Sequence, residues 1–150
     1  MKREETIDFH LKWIWHNISR YYNAIASEYG LTMATGNILL AIDKRDGTPS
    51  TKLGPSMGMT SRSLVRSLKN LETSGLIYKE ADAIDKRKVR IRLTEEGLRM
   101  REISKRTVLE LNDTLYKNLS EEEVKTLFKT LNIINESINS ISQEKNEKTH

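Results

Sequence analysis

The chain has 150 residues, 37% hydrophobic and 31% charged, with 25 Lys and Arg against 21 Asp and Glu for a net charge of +4; that length suits one domain, or one domain with an oligomerisation element. The absence of cysteine excludes disulfides, thiolate metal sites and thiol redox switches. No apolar run approaches the roughly 18 residues of a membrane span, and Met1-Lys2-Arg3-Glu4-Glu5 lacks the apolar stretch of a secretory signal, so a cytoplasmic protein is expected.

From about Glu5 to Tyr29, Leu11, Trp15, Ile18, Tyr22 and Ile25 recur at helical spacing, and Trp13, Ile14 and Tyr21 widen the stripe beyond one packed face. A second face is therefore available to another chain or a ligand. Gly30 suits the position past this helix, and Thr32 the N-cap of the next, which uses Ile38, Leu39 and Ile42. Lys44-Arg45-Asp46-Gly47-Thr48-Pro49 is a turn. A short helix follows, capped by Thr48 with Pro49 at its first position, or capped by Ser50; Pro55 makes it brief or distorted near Gly54.

Thr60 is the N-cap of a basic helix, with Met59 and Leu64 as a hydrophobic staple. Leu64, Val65, Leu68 and Leu71 form its expected buried face, and Arg62, Arg66, Lys69, Asn70 and Thr73 project the other way. Gly75 ends it in a left-handed cap with Leu76 folding back. A strand, a charged tip and a second strand follow. In the second strand Val89, Ile91 and Leu93 alternate with Lys88, Arg90 and Arg92, so every outward position is cationic.

Thr94 caps a long helix opened by Glu95 and Glu96, whose charge suits its positive end, with Val108, Leu111, Leu115 and Leu119 as later apolar positions. Ser120 and Glu123 form a capping box after a break at Asn118. The last helix carries Val124, Leu127, Leu131, Ile134, Ile138 and Ile141, a heptad seam of the kind that packs helix on helix. Residues 143–150 read as a polar, disordered tail.

Charge is unevenly placed. Between Thr60 and Arg92 nine basic residues face four acidic ones, nine minus four giving +5 and leaving −1 for the rest. The whole excess sits in one segment, the electrostatic footprint of a polyanion site.

The order helix, helix, short helix, basic helix, two-stranded wing and two long helices resembles the MarR family of winged helix-turn-helix regulators, over about residues 5–142. Its most specific part is Leu71-Glu72-x-x-Gly75-Leu76-Ile77, then Asp85-x-Arg87, then Leu93-Thr94-x-x-Gly97. Pro55, Tyr78 and Glu80 depart from the family pattern. The resemblance implies a mainly α fold with a small two-stranded β-wing: an N-terminal dimerisation helix (1–30), a winged helix-turn-helix lobe (31–97), C-terminal dimerisation helices (98–142) and the tail (143–150). It implies a homodimer that reads two half-sites of a pseudo-palindromic operator about one helical turn apart, most often as a repressor. Many members release DNA on binding a small phenolic or anionic ligand.

On this reading Arg62 and Arg66 are suited to guanine O6 and N7, and Ser63 and Asn70 to bases or phosphates; Thr60, Ser61 and Lys69 complete that surface. A solvated helix face accounts for the same residues. By resemblance Arg87 enters the minor groove with Asp85 orienting its guanidinium, a role compatible with a local Asp85–Arg87 salt bridge. Lys86, Lys88, Arg90 and Arg92 are expected at phosphates, as are Ser50, Thr51 and Lys52 at the short helix. Trp13, His16, Arg20 and Tyr21 lie, by family analogy, beside an effector pocket that would suit an aromatic carboxylate; core and dimer-interface packing is the favoured reading of the four.

The implied partners are double-stranded DNA, a second copy of the chain and a small aromatic or anionic ligand, with no membrane. No cofactor is implied. His10 and His16, six apart, do not share a helix face as metal ligands would, and neither a glycine-rich phosphate loop nor a nucleophile elbow is present, so catalysis is not expected. The alternative is a winged-helix adaptor that binds protein and no DNA.

Overall fold

The structure, a computed structural model, describes residues 2–147. After a 3-10 turn at Arg3–Glu5 come α1 (Ile7–Ser27), α2 (Met33–Ala41), β1 (Thr48–Pro49), α3 (Ser50–Ser56), α4 (Ser61–Thr73), β2 (Ile77–Ala81), β3 (Val89–Leu93), α5 (Glu95–Asn118) and α6 (Glu121–Glu147). The chain divides into two compact units, the boundary falling inside α5 between Val108 and Leu109.

In the first unit the helices start where their side chains satisfy orphan amides. Thr32 Oγ1 accepts from Thr35 N–H at 3.2 Å and Thr35 Oγ1 accepts from Thr32 N–H at 2.9 Å. Thr60 does the same for α4 through Ser63 N–H. At the other end of α4, Gly75 takes φ +73° and Leu76 N–H reaches back to Leu71 C=O at 2.9 Å, a left-handed cap that buries Leu76.

The core joins Ile38, Leu39 and Ile42 of α2, Leu53 of α3, Leu64, Leu68 and Leu71 of α4, Leu76 and Ile77 at β2, Ile91 of β3 and Met100 of α5. Each such side chain contributes about 1.5–3 kcal/mol by leaving water. Val65 does not join them. It is 65% exposed, against expectation, because α4 buries only the narrow row Leu64, Leu68 and Leu71, and Val65 lies one residue off it.

The expected two-stranded wing is present as β2–β3, antiparallel, with Ile77 opposite Leu93 and Ala81 opposite Val89. A third short strand was not foreseen. β1 pairs with β3, Thr48 opposite Ile91 and Pro49 opposite Arg90, giving the order β1-β3-β2. Pro49 is tolerated there because β1 is an edge strand. It is also the N-cap of α3 rather than its first helical residue. Thr48 does not cap α3 either: its hydroxyl accepts from Asp43 N–H at 2.9 Å. α3 ends one residue past Pro55, as brief as expected.

β3 passes directly into α5. Thr94 N–H donates to Leu76 C=O at 3.1 Å, its hydroxyl donates to Gly75 C=O at 2.6 Å, and the same oxygen accepts Gly97 N–H at 3.0 Å. A Cβ on Gly97 would stand 1.9 Å from Leu76 O. The motif Leu93-Thr94-x-x-Gly97 thus welds the wing to α5 by a cap and a close backbone approach.

In the second unit the capping box is formed, Ser120 N–H donating to Glu123 Oε2 at 2.7 Å and Glu123 N–H to Ser120 Oγ at 3.2 Å. The backbone N–H of Ser120, and then its side chain, hold the Glu123 carboxyl below its usual range. α6 continues as helix to Glu147, into the stretch expected as a tail, because Gln143 to Glu147 includes neither glycine nor proline; residues 148–150 lie outside the described residues. Leu127, Leu131, Ile138 and Ile141 of the heptad seam are exposed. In the first unit, Ile7, Leu11, Trp13, Ile14 and Trp15 of α1 are exposed as well.

Candidate nucleic-acid interface

α4 presents Ser61, Arg62, Arg66, Lys69 and Asn70 to solvent. Its leucine row fixes the helix's rotation, so these side chains cannot turn inward without exposing Leu64, Leu68 and Leu71. Thr60 and Ser63 stand at its first turn and are occupied with capping: Ser63 N–H donates to Thr60 Oγ1, and the two hydroxyls lie 3.0 Å apart. Ser50, Thr51 and Lys52 form the first turn of α3, Ser50 half-buried and the others exposed.

The wing tip is a built turn. Asp82, 7% exposed, accepts the amides of Ile84 at 2.9 Å and Asp85 at 3.1 Å on Oδ1. Its Oδ2 accepts Nε of Arg90 at 3.1 Å and Nη2 at 2.8 Å. The two backbone amides, Asp85 first, and then Arg90 pull the carboxyl down to about 2. Asp82 N–H donates to Lys88 C=O at 2.9 Å and Lys88 N–H to Asp85 C=O at 2.9 Å, closing the loop.

On that turn Arg87 stands clear, its side chain 92% exposed. Asp85 Oδ1 accepts both its amide, at 3.1 Å, and its Nε, at 3.2 Å. The carboxylate fixes the base of the guanidinium and leaves its outer nitrogens facing water. Lys86 and Lys88 flank it, exposed.

Arg90 and Arg92 share the side of β3 that the alternation gives them, but they are not free cations for phosphates, contrary to expectation. Arg90 donates to Asp46 C=O at 3.0 Å and Gly47 C=O at 3.2 Å besides Asp82. Arg92 pairs with Glu80 and donates to Arg45 C=O at 2.8 Å; the hydrogen bond to Glu80 raises its already high pKa. Both guanidiniums are spent clamping the 45–47 turn to the sheet. Sequence reading missed this clamp. Its signal was the matched spacing of Glu80 and Asp82 before the tip with Arg90 and Arg92 after it, which makes diagonal cross-strand pairs.

The charge of the segment now resolves. Each of its four acids holds a base: Glu72 with Lys79, Glu80 with Arg92, Asp82 with Arg90, Asp85 with Arg87. Nine bases less those four leave Arg62, Arg66 and Lys69 on α4 and Lys86 and Lys88 on the wing tip, five cations without an ion pair among the described residues. The net +5 is therefore displayed by one helix face and one loop.

Trp13, His16, Arg20 and Tyr21 lie on an exposed face of α1, the Trp13 and His16 rings 6.2 Å apart. His16, Arg20 and Tyr21 line a wide, open cleft on that face, and Trp13 does not. A second, more enclosed cleft of the first unit lies elsewhere. It occupies about 390 Å³, its open mouth included, and is lined by Tyr22, Ile25 and Tyr29 of α1, Asn37 of α2 and Ile103 and Thr107 of α5 among others; none of the four expected residues lines it. Burial, and then Tyr21 nearby, raises the Tyr22 hydroxyl above its usual pKa.

This geometry recurs in solved structures. The crystal structure of the S. aureus MepR–DNA complex matches with a TM-score of 0.79 and 27% identity, covering 88% of this chain and 98% of that one. CouR from Rhodococcus jostii RHA1, bound to p-coumaroyl-CoA, matches in fold with a TM-score of 0.78 at 23% identity, covering 89% and 94%. A capped basic helix followed by a hairpin wing and a long helix defines a MarR-type winged helix-turn-helix protein. The family model described as "Transcriptional regulator SarA/Rot" matches residues 20–106. The chain belongs to that family of transcriptional regulators, which are not enzymes. It is 27% identical over 116 residues to the HTH-type transcriptional regulator SarZ of Staphylococcus epidermidis, 76% of each chain.

Proposed function

We propose that this protein regulates transcription in the cytoplasm by binding double-stranded DNA as a homodimer, α4 entering the major groove of each half-site of a pseudo-palindromic operator and the wing tip reaching the adjacent minor groove. The observation that carries this reading is the set of five cations without an ion pair, among the described residues of the segment, confined to α4 and the wing tip. A polyanion satisfies them together. The likeness to a MepR–DNA complex supports it. Ser61, Arg62, Arg66, Lys69 and Asn70 read or position on α4; Arg87, held by Asp85, serves the minor groove; Lys86 and Lys88 meet phosphates.

Dimerisation is supported by the exposed apolar rows of α1 and of α6, which a lone chain leaves in water. Repression follows where the operator overlaps a promoter. Release by a small aromatic or anionic effector is the finer part of the proposal, supported by the cleft lined by Tyr22 and Tyr29 and by CouR's capture of p-coumaroyl-CoA. Trp13, His16, Arg20 and Tyr21 would border such a ligand only as a partner chain completes their face.

A mobility-shift titration against the DNA upstream of the protein's own gene tests the reading, with sedimentation for the dimer. Specific retardation that falls steeply with salt is the expected result. A dimer that ignores duplex DNA at low ionic strength would favour the adaptor alternative.

A further inference from the structure

On α4, Arg62, Val65, Arg66 and Lys69 follow the spacing i, i+3, i+4 and i+7 and share one outward face. Three are cations outside the ion pairs described above; the fourth is an aliphatic side chain 65% exposed. Val65 cannot be an interior residue turned out by chance, because Leu64 and Leu68 on either side of it are buried and set the helix's rotation. Nor does it continue an apolar row: its outward neighbours at helical spacing, Ser61, Arg62 and Lys69, are polar or charged. The other exposed large apolar residues lie mostly on α1, α5 and α6.

We propose that Val65 recognises the C5-methyl group of a thymine in the major groove. The proposal rests on the DNA-binding reading above and names the base chemistry that α4 selects. An acidic protein surface would satisfy the cations and leave Val65 unmatched. The major groove satisfies both, offering phosphates and guanine acceptors to Arg62, Arg66 and Lys69, and a single kind of apolar group, the thymine methyl, to Val65. A β-branched side chain in a helix keeps essentially one rotamer, so its methyls stand at a fixed place without an entropic cost on binding. With no donor or acceptor, Val65 also discriminates by exclusion: against cytosine, guanine or adenine it covers polar edges that it cannot satisfy. Ile84, 96% exposed on the wing, provides the control, since the minor groove presents no methyl.

The test uses the full-length protein and a duplex that it selects from a randomised pool. Each thymine of that duplex is replaced in turn by uracil, which removes only the methyl, and affinities are measured for the wild type, Val65→Ala and Ile84→Ala. One thymine in each half-site should lose about four-fold in affinity for the wild type, the worth of one buried methyl-sized group. That loss should vanish in Val65→Ala and persist in Ile84→Ala. A selected duplex whose uracil profile is the same for the wild type and Val65→Ala, or that contains no thymine, overturns the proposal while DNA binding stands. Failure to select any duplex overturns the DNA-binding reading itself, and this inference with it.

Discussion

Arg90 grips a single oxygen of Asp82 with two nitrogens, Nε at 3.1 Å and Nη2 at 2.8 Å, while the other oxygen of that carboxylate holds the amides of Ile84 and Asp85. One buried acid therefore organises the tip and anchors it. Arg90 extends the anchor to the carbonyls of Asp46 and Gly47, so the tip, the sheet and the turn before α3 form one braced unit.

This brace gives the wing a defined acid limit. The Asp82 carboxyl sits at about 2 against an ordinary 3.8, lowered by the amides of Asp85 and Ile84 and then by Arg90. A depressed carboxylate contributes its full stabilisation above the unfolded value and loses it as pH falls towards the folded one. The wing should stay ordered down to about pH 4 and loosen between about 4 and 2. The Asp82 carboxyl signal followed by NMR should titrate near the lower end; a midpoint at the ordinary value would contradict the brace.

Arg87 is mostly in water and held by Asp85 at its base, a pre-oriented planar fork. Arg87→Ala should weaken specific DNA binding by about 1–3 kcal/mol and leave the fold unchanged, and Arg87→Lys should recover only part, since a flexible ammonium replaces the fork. Titration of a fixed operator at constant salt checks both. Unaltered affinity in the alanine variant would remove Arg87 from the interface.

Lys86 and Lys88 are the wing-tip cations outside its ion pairs, whereas Arg90 and Arg92 are held by acids. Lys88→Ala should lower the slope of log K against log salt by about 0.9 for each phosphate left without its cation, nearly equally for all duplex sequences. Arg92→Ala should act differently, disturbing the 45–47 turn and hence stability. Salt series beside urea denaturation separate the two, and equal salt slopes for wild type and Lys88→Ala would contradict the assignment.

Gly97 leaves no room for a side chain, with Leu76 O 1.9 Å from where its Cβ would stand. Gly97→Ala should destabilise the first unit by about 1–3 kcal/mol through forced backbone shift. At Gly30 a Cβ meets nothing within 4 Å but φ is +70°, so Gly30→Ala should cost about 1–2 kcal/mol from conformation alone. Denaturation midpoints of the two variants, with the backbone shift seen only at residue 97, check the distinction.

Much of this was readable beforehand because it is local. The caps at Thr32, Thr60, Thr94 and Ser120, the turn at Gly75 and the leucine row of α4 each depend on residues within a turn or two of one another. What escaped was non-local or borderline. β1 is two residues long and carries no periodicity of its own; it exists because β3 offers a free edge at Ile91 and Arg90. Alternation correctly put Arg90 and Arg92 on one side of β3, but their acceptors at residues 45–47 lie more than forty residues earlier. Val65 sits at the margin of the buried arc, where composition favours the interior and geometry decides otherwise. The aromatic width of α1 was visible as well, and its side chains stand exposed in the structure.

Thr94 binds the carbonyls of Gly75 and Leu76 while its hydroxyl starts α5, so the end of α4, the root of the hairpin and the first turn of α5 meet without slack. The helix that carries Arg62, Val65 and Arg66 is thereby pinned at its C-terminal end to the first turn of α5, with a single residue between β3 and that turn.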